Sequence, residues 1–221
     1  MCGRYSLTKP LKTIQHHFAA LPVGLFHEPR YNIAPSQTLP VVVNNGSERT
    51  LRPMRWGLLP AWAKDEKLGH KLINARAETV HEKPSFKASF RQHRCLVPTD
   101  GFYEWKQDDN GKTPHRIFME DGALFAFAGL WSAWRGPAGP IETFTILTTE
   151  ANRPLQSLHH RMPVILMPED YSGWLDPAAT SPSLKALMQP LAGDKLTFHA
   201  ISKTVNSPKN DLPDCQQPLH D

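Results

Sequence analysis

At 221 residues, 21% of them charged and 40% hydrophobic, the chain is long enough to bury one sizeable core and has the balance of a globular protein. No apolar stretch nears the ~20 residues that span a bilayer, and no basic-then-apolar leader opens it, so a cytoplasmic protein is expected. The net charge of +4 leans only weakly toward a polyanionic partner. Three cysteines at unpatterned spacing, Cys2, Cys95 and Cys215, argue against both a disulfide framework and a zinc site.

In chain order, Leu11, Ile14 and Phe18 place apolar side chains on one face of a short helix over Leu11 to Ala20. Val41-Val42-Val43 ahead of Asn44-Asn45-Gly46 reads as a strand entering a hairpin turn. Ala75 to Val80 holds good helix formers, stopped by Pro84, and Ser85 to Phe90 suits a second short helix. Strands are expected at Arg94 to Val97 and at Phe102 to Trp105, and Arg116 to Met119 should turn at Asp121-Gly122 and pair with Leu124 to Leu130. Further strands fall at Phe144 to Thr148, Val164 to Met167 and Leu196 to Ile201, with short helices at Tyr171 to Leu175 and Ser183 to Met188. The 21 prolines are scattered, which suits rigid turns, and the tail from Ser207 is expected to fray. The pattern predicts a strand-dominated α+β fold in a single domain over residues 1–221.

The chemistry begins at the second residue. Loss of Met1 would leave Cys2 with an α-amine and a thiol on neighbouring carbons, and that pair closes onto an aldehyde as a thiazolidine. Free amines and thiols titrate near ~7.7–8.0 and ~8.5, so both nucleophiles of an exposed terminus should be available at neutral pH. Glu104, between Tyr103 and Trp105, could be desolvated and its pKa raised, which suits acid and base work. Asn74, read alone, is a helix N-cap. No phosphate loop, metal motif or Ser-His-Asp arrangement is present.

Four segments, Cys2-Gly3-Arg4-Tyr5, Asn74-Ala75-Arg76-Ala77-Glu78, Gly101-Phe102-Tyr103-Glu104-Trp105 and His159-His160-Arg161-Met162-Pro163, occur in the order found in the SRAP family of SOS-response-associated proteins. Tyr31 to Gln37 and Met54 to Trp62 add to the resemblance, which runs from Cys2 to about Asn206. It implies the SRAP fold, with mixed sheets forming a barrel-like core and short helices around it. It also implies a protein that removes its own Met1 and traps abasic sites of single-stranded DNA through a Cys2 thiazolidine.

The resemblance makes Cys2, Asn74, Glu104 and His159 the catalytic set. Glu104 would deprotonate the Cys2 amine and assist removal of Met1, and Asn74 would bind near amine and sugar. His159, in the pattern His-x-Arg-Met-Pro, would supply acid for sugar-ring opening, leaving His160 a bystander. Arg4, Arg76 and Arg161 would grip phosphates, Asn32 and Thr148 would line the DNA groove, and Trp105 would stack on or wedge against a base. Trp56 and Trp62 read as core or groove wall, Cys95 as a buried small hydrophobe and Cys215 as a tail thiol. Neither metal nor organic cofactor is implied, the lesion chemistry needs one copy of the chain, and a bacterial cytoplasmic protein would join the nucleoid when bound to DNA. Two other readings compete: a peptidase with Cys2 as nucleophile and His159 as base, and a non-covalent single-strand binder.

Overall fold

The computed structural model describes residues 2–46, 48–109, 111–137 and 139–219. Met1, and His220 and Asp221 of the tail, lie outside the described residues. The chain passes through β1 (Tyr5–Leu7), α1 (Leu11–Phe18), β2 (Ala20–Pro22), β3 (Arg30–Ile33), β4 (Thr38–Asn44), β5 (Arg49–Trp56) and β6 (Asn74–Arg76). Next come α2 (Lys87–Gln92), β7 (Arg94–Thr99), β8 (Gly101–Asp108), β9 (Gly111–Met119), β10 (Phe125–Gly136) and β11 (Gly139–Glu150). It ends with β12 (Arg161–Pro163), β13 (Ile165–Leu166), α3 (Tyr171–Leu175), α4 (Ser181–Leu187) and β14 (Leu196–Ala200). The strand-dominated α+β expectation holds.

Strands β5, β4, β7, β10 and β11 pair in that order, and a parallel pairing of β11 with β5 at Thr143–Arg55 and Phe144–Trp56 closes them into a five-stranded barrel. Closure leaves these five strands without a free edge among themselves. A second sheet runs β14-β9-β8-β1-β3. Its β1 inserts Tyr5 against barrel residues, with ring centroids 5.3 Å from Trp56 and 5.8 Å from Phe127. Phe102 of β8 lies 5.8 Å from the same Phe127, so both sheets feed one apolar core. Burying each such aromatic or aliphatic side chain contributes ~1.5–3 kcal/mol.

Strand β11 organises the region that matters for chemistry. It pairs in parallel with β6, setting Asn74 opposite Ile146 and Arg76 opposite Thr148. It also pairs antiparallel with β12, setting Thr148 opposite Pro163 and Glu150 opposite Arg161. The loop before β6 folds close to the barrel because Gly57, at φ 123°, would place a Cβ 2.7 Å from the Gly69 carbonyl oxygen. Only glycine combines that left-handed backbone with that approach.

Several expectations are corrected. Residues 75–80 are not a helix: Ala75 and Ala77 are buried with Arg76 exposed between them, a period of two that suits β6 and the turn after it. Asn74 is therefore a strand residue and not an N-cap. The turn at Asp121-Gly122 forms, with Gly122 N–H donating to Met119 C=O, but β9 and β10 do not pair. Both sides of β9 are occupied, by β8 and β14, so the chain crosses to the barrel instead.

The tail does not fray as far as Leu219. Asp211 bonds Arg30 and accepts from the backbone N–H groups of Tyr31 and Asn32. Cys215 is fully buried beside Tyr103, Ile201 and Val205, and Leu219 N–H donates to Ala200 C=O. Among the described residues, no helix is long and apolar enough to cross a membrane.

Candidate functional site

Antiparallel pairing of β1 with β8 sets Tyr5 opposite Phe102. The ladder continues toward the N-terminus, where Tyr103 N–H donates to Arg4 C=O. Continued one step, this register sets Gly3 opposite Glu104 and brings Cys2 near enough to feel the Glu104 charge. From β6, the Asn74 side-chain amide donates to the Cys2 carbonyl at 2.8 Å, while Asn74 Oδ1 is buried without a partner. A buried acceptor left open costs ~1–3 kcal/mol unless something donates to it.

Cys2 itself is fully buried, not exposed as expected. Its thiol is pushed far above the ordinary range, first by burial and then by the charge of Glu104. The shift favours the protonated thiol over the thiolate. Glu104 is also buried, and burial raises its carboxyl above the usual carboxylate range. Charge on the nearby His160 acts in the opposite direction.

His159 shares an open cleft with Glu104, Arg4, Trp105, Lys112 and Asn206. His159 Nδ1 meets both backbone groups of Arg161, accepting from its N–H at 2.9 Å in one tautomer and donating to its C=O at 3.2 Å in the other. Burial lowers the His159 pKa, so the ring is mostly neutral at pH 7. His160 is exposed, and its ring stacks on His159 at 4.3 Å.

The expected DNA contacts divide into two groups. Arg76 is exposed, and Trp105 is half-buried at the cleft. The Trp105 indole donates to Asn206 Oδ1 at 2.7 Å, and the Arg4 guanidinium lies 5.8 Å over its ring. Arg4 is committed inward, donating to Asn32 Oδ1 at 2.7 Å and Val205 C=O at 2.8 Å. Arg161 forks onto Glu78 at 2.7 and 2.9 Å and also donates to Thr148 C=O at 2.6 Å.

Asn32 and Thr148 are both fully buried, which corrects the expectation that they line a groove. Asn32 instead spends its amide on the carbonyls of Val205, Ser207 and Asn210, at 3.1, 3.0 and 2.6 Å. Thr148 contributes its backbone carbonyl, which accepts from both Ala77 N–H and Arg161. Trp56 is core, and Trp62 is 59% exposed. Sequence reasoning missed Lys112, Asn206 and Glu78. Lys112 was legible only as the residue opposite Gln107 in the β8–β9 hairpin, and Asn206 closed the stretch of family resemblance just before the segment read as tail.

Among the described residues, no group of three His, Cys, Asp or Glu side chains could hold a metal. The arrangement holds the Cys2 carbonyl, buries a carboxyl at Glu104 and presents an imidazole in a cleft.

Comparison with known proteins places this geometry in context. The family model described as SOS response associated peptidase (SRAP) matches residues 1–208. The abasic site processing protein YoqW of Bacillus subtilis is 47% identical over 220 residues, covering 97% of this chain and 98% of that protein. The abasic site processing protein HMCES of Gallus gallus is 34% identical over 226 residues, covering 87% of this chain and 67% of that one. A crystal structure of a Bacteroides thetaiotaomicron protein superposes with a TM-score of 0.91 at 26% identity, over 99% of this chain and 100% of its own. A Bordetella bronchiseptica protein gives a TM-score of 0.78 at 29% identity, over 91% and 100%.

Proposed function

The chain belongs to the SOS response associated peptidase (SRAP) family, and from that premise we infer that it traps abasic sites in single-stranded DNA covalently, through Cys2 freed of Met1. The single observation that carries this reading is a chain of neighbours: Asn74 bonds Cys2, Cys2 feels the charge of Glu104, and Glu104 lines one open cleft with His159. The relatives named as abasic site processing proteins support the substrate class.

The steps balance without an outside reagent. Imidazolium at His159 donates a proton as the closed sugar opens to its aldehyde. Glu104 takes a proton from the terminal ammonium, and the free amine adds to the aldehyde carbon to form a carbinolamine. Protonation of its hydroxyl expels one water and leaves an imine. The Cys2 sulfur then bonds to the imine carbon, its proton passing to nitrogen, and the five-membered ring is complete. Asn74 would fix the Cys2 carbonyl throughout, and its open Oδ1 is placed to accept from the amine or the sugar. Removal of Met1 would use the same carboxylate to activate water.

A thiol kept protonated by burial suits the last step, in which sulfur bonds to the imine carbon as its proton passes to nitrogen. The test is incubation of the mature protein with a single-stranded oligonucleotide carrying one abasic site, followed by denaturing electrophoresis and intact mass. Wild type should give a denaturant-resistant adduct one water lighter than the sum of its parts. Cys2→Ala should give none, and an equally stable Cys2→Ser product would exclude the ring.

A further inference from the structure

Arg161 and Glu78 form the one contact at this site whose geometry imitates the partner the site is read to bind. Two guanidinium nitrogens meet two carboxylate oxygens at 2.7 and 2.9 Å. The same parallel fork fits two oxygens of a phosphodiester. The fork is held from behind by Thr148 C=O at 2.6 Å, so it keeps its aim whichever anion faces it. The two partners differ in freedom: the Arg161 side chain is 12% exposed and Glu78 is 46% exposed. A nearly buried guanidinium requires an anion, whereas the carboxylate can swing into water. Arg161 Nε is buried with no partner, so the side chain meets outside anions only through the two nitrogens that Glu78 now holds.

The pair adjoins the candidate site through Arg161 and His159, while Glu78 lines a neighbouring pocket with Glu150 and Lys185. Arg161 N–H orients His159, and the charges of Arg161 and Arg76 both act on His160, which in turn acts on Glu104. Glu78 lies two residues beyond the exposed Arg76 on the segment leaving β6.

We propose that Glu78 is a built-in phosphate mimic, a specificity-determining residue that occupies the Arg161 fork until a DNA phosphodiester displaces it. The proposal rests on the DNA-trapping reading above. While Glu78 holds the fork, a lone anion gains little by entering. A backbone phosphate already drawn in by Arg76 completes the exchange and leaves the Glu78 carboxylate in solvent. Affinity for undamaged strands is thereby held down, and stable retention is left to the covalent step.

The experiment measures equilibrium binding of the full-length protein to a fluorescent, undamaged single-stranded oligonucleotide across a salt series. Glu78→Gln should bind about five- to tenfold tighter than wild type with an unchanged salt slope, because the same phosphate meets Arg161 in both complexes and only the competing carboxylate is gone. The gain should not appear when Glu78→Gln is placed on an Arg161→Gln background. Unchanged or weaker binding by Glu78→Gln would overturn the proposal. An equal gain without Arg161 would overturn it too, since only a general loss of negative charge would then be at work. Glu78→Ala repeats the comparison should the glutamine variant misfold. Failure of wild type to bind any oligonucleotide would instead remove the DNA reading beneath it, while leaving abasic adduct formation as a separate readout.

Discussion

Glu104 and His159 sit in one cleft with their proton affinities moved in opposite directions, and that fixes a pH dependence. Burial raises the carboxyl and lowers the imidazole, so the two pKa values approach each other. The proposed reaction uses Glu104 ionised and His159 protonated. The ionised carboxylate is gained only as pH rises through a value above the usual carboxylate range. The imidazolium is lost as pH rises through a value below ~6.5. The rate of adduct formation in single turnover should therefore follow a narrow bell with its maximum on the acidic side of ~6.5. Glu104→Gln should flatten the acid limb and His159→Asn the alkaline limb, each lowering the maximal rate by ~10²–10⁴-fold. A rate that climbs steadily from pH 5 to 9 would assign the protons to the Cys2 amine alone. His160 stacks on His159 and its charge lowers the Glu104 carboxyl, so His160→Asn should keep both limbs and move the acid limb to higher pH.

Among the elements, the segment after β14 is the least expected contributor. It carries Asn206, which holds Trp105, and its carbonyls at Val205, Ser207 and Asn210 converge on the buried Asn32 amide. Asn32→Ala would strip four hydrogen bonds, counting the one from Arg4, and leave buried carbonyls unmatched. A loss of about 2–4 kcal/mol follows, measured by urea unfolding, at ~2–4 °C of melting temperature per kcal/mol. The same variant should loosen Trp105 and slow trapping more than it weakens initial binding. Unchanged stability would mean that the segment is held elsewhere. Such long-range polar clasps explain what the sequence concealed. Local signals were readable: the apolar face of α1, the strand at Phe102 to Trp105, and α3, whose bounds match expectation to the residue. The approach of Asn74 to Cys2 depends on β6 joining β11, 72 residues from one end of the contact to the other. Alanine-rich composition pointed to helix there, and burial of Ala75 and Ala77 against the barrel overrode it. The Asp211 clasp lies in a run of Pro, Asn and Asp whose composition reads as loose coil, and only its partners at Arg30, Tyr31 and Asn32 reveal the order.

At the scale of the whole molecule, the barrel and the second sheet are joined through a core that neither could close alone. Tyr5 is the keystone of that joint, with its ring edge-on to both Trp56 and Phe127 and its hydroxyl buried without a partner. The two properties make opposite predictions for two substitutions. Tyr5→Phe keeps the ring and removes an unsatisfied hydroxyl, so stability should hold or rise by about 1 kcal/mol. Tyr5→Ala opens a cavity between the sheets and should cost about 3–5 kcal/mol. If the sheets form one cooperative unit, indole fluorescence and far-ultraviolet circular dichroism should trace a single coincident transition in wild type and both variants. Trp105 reports on the second sheet and Trp56 on the barrel, so separate domains would give two midpoints. Coincident curves that shift together in Tyr5→Ala would tie the Cys2 strand to the barrel energetically. The trap would then be held in place by the stability of the entire fold and not by local contacts alone.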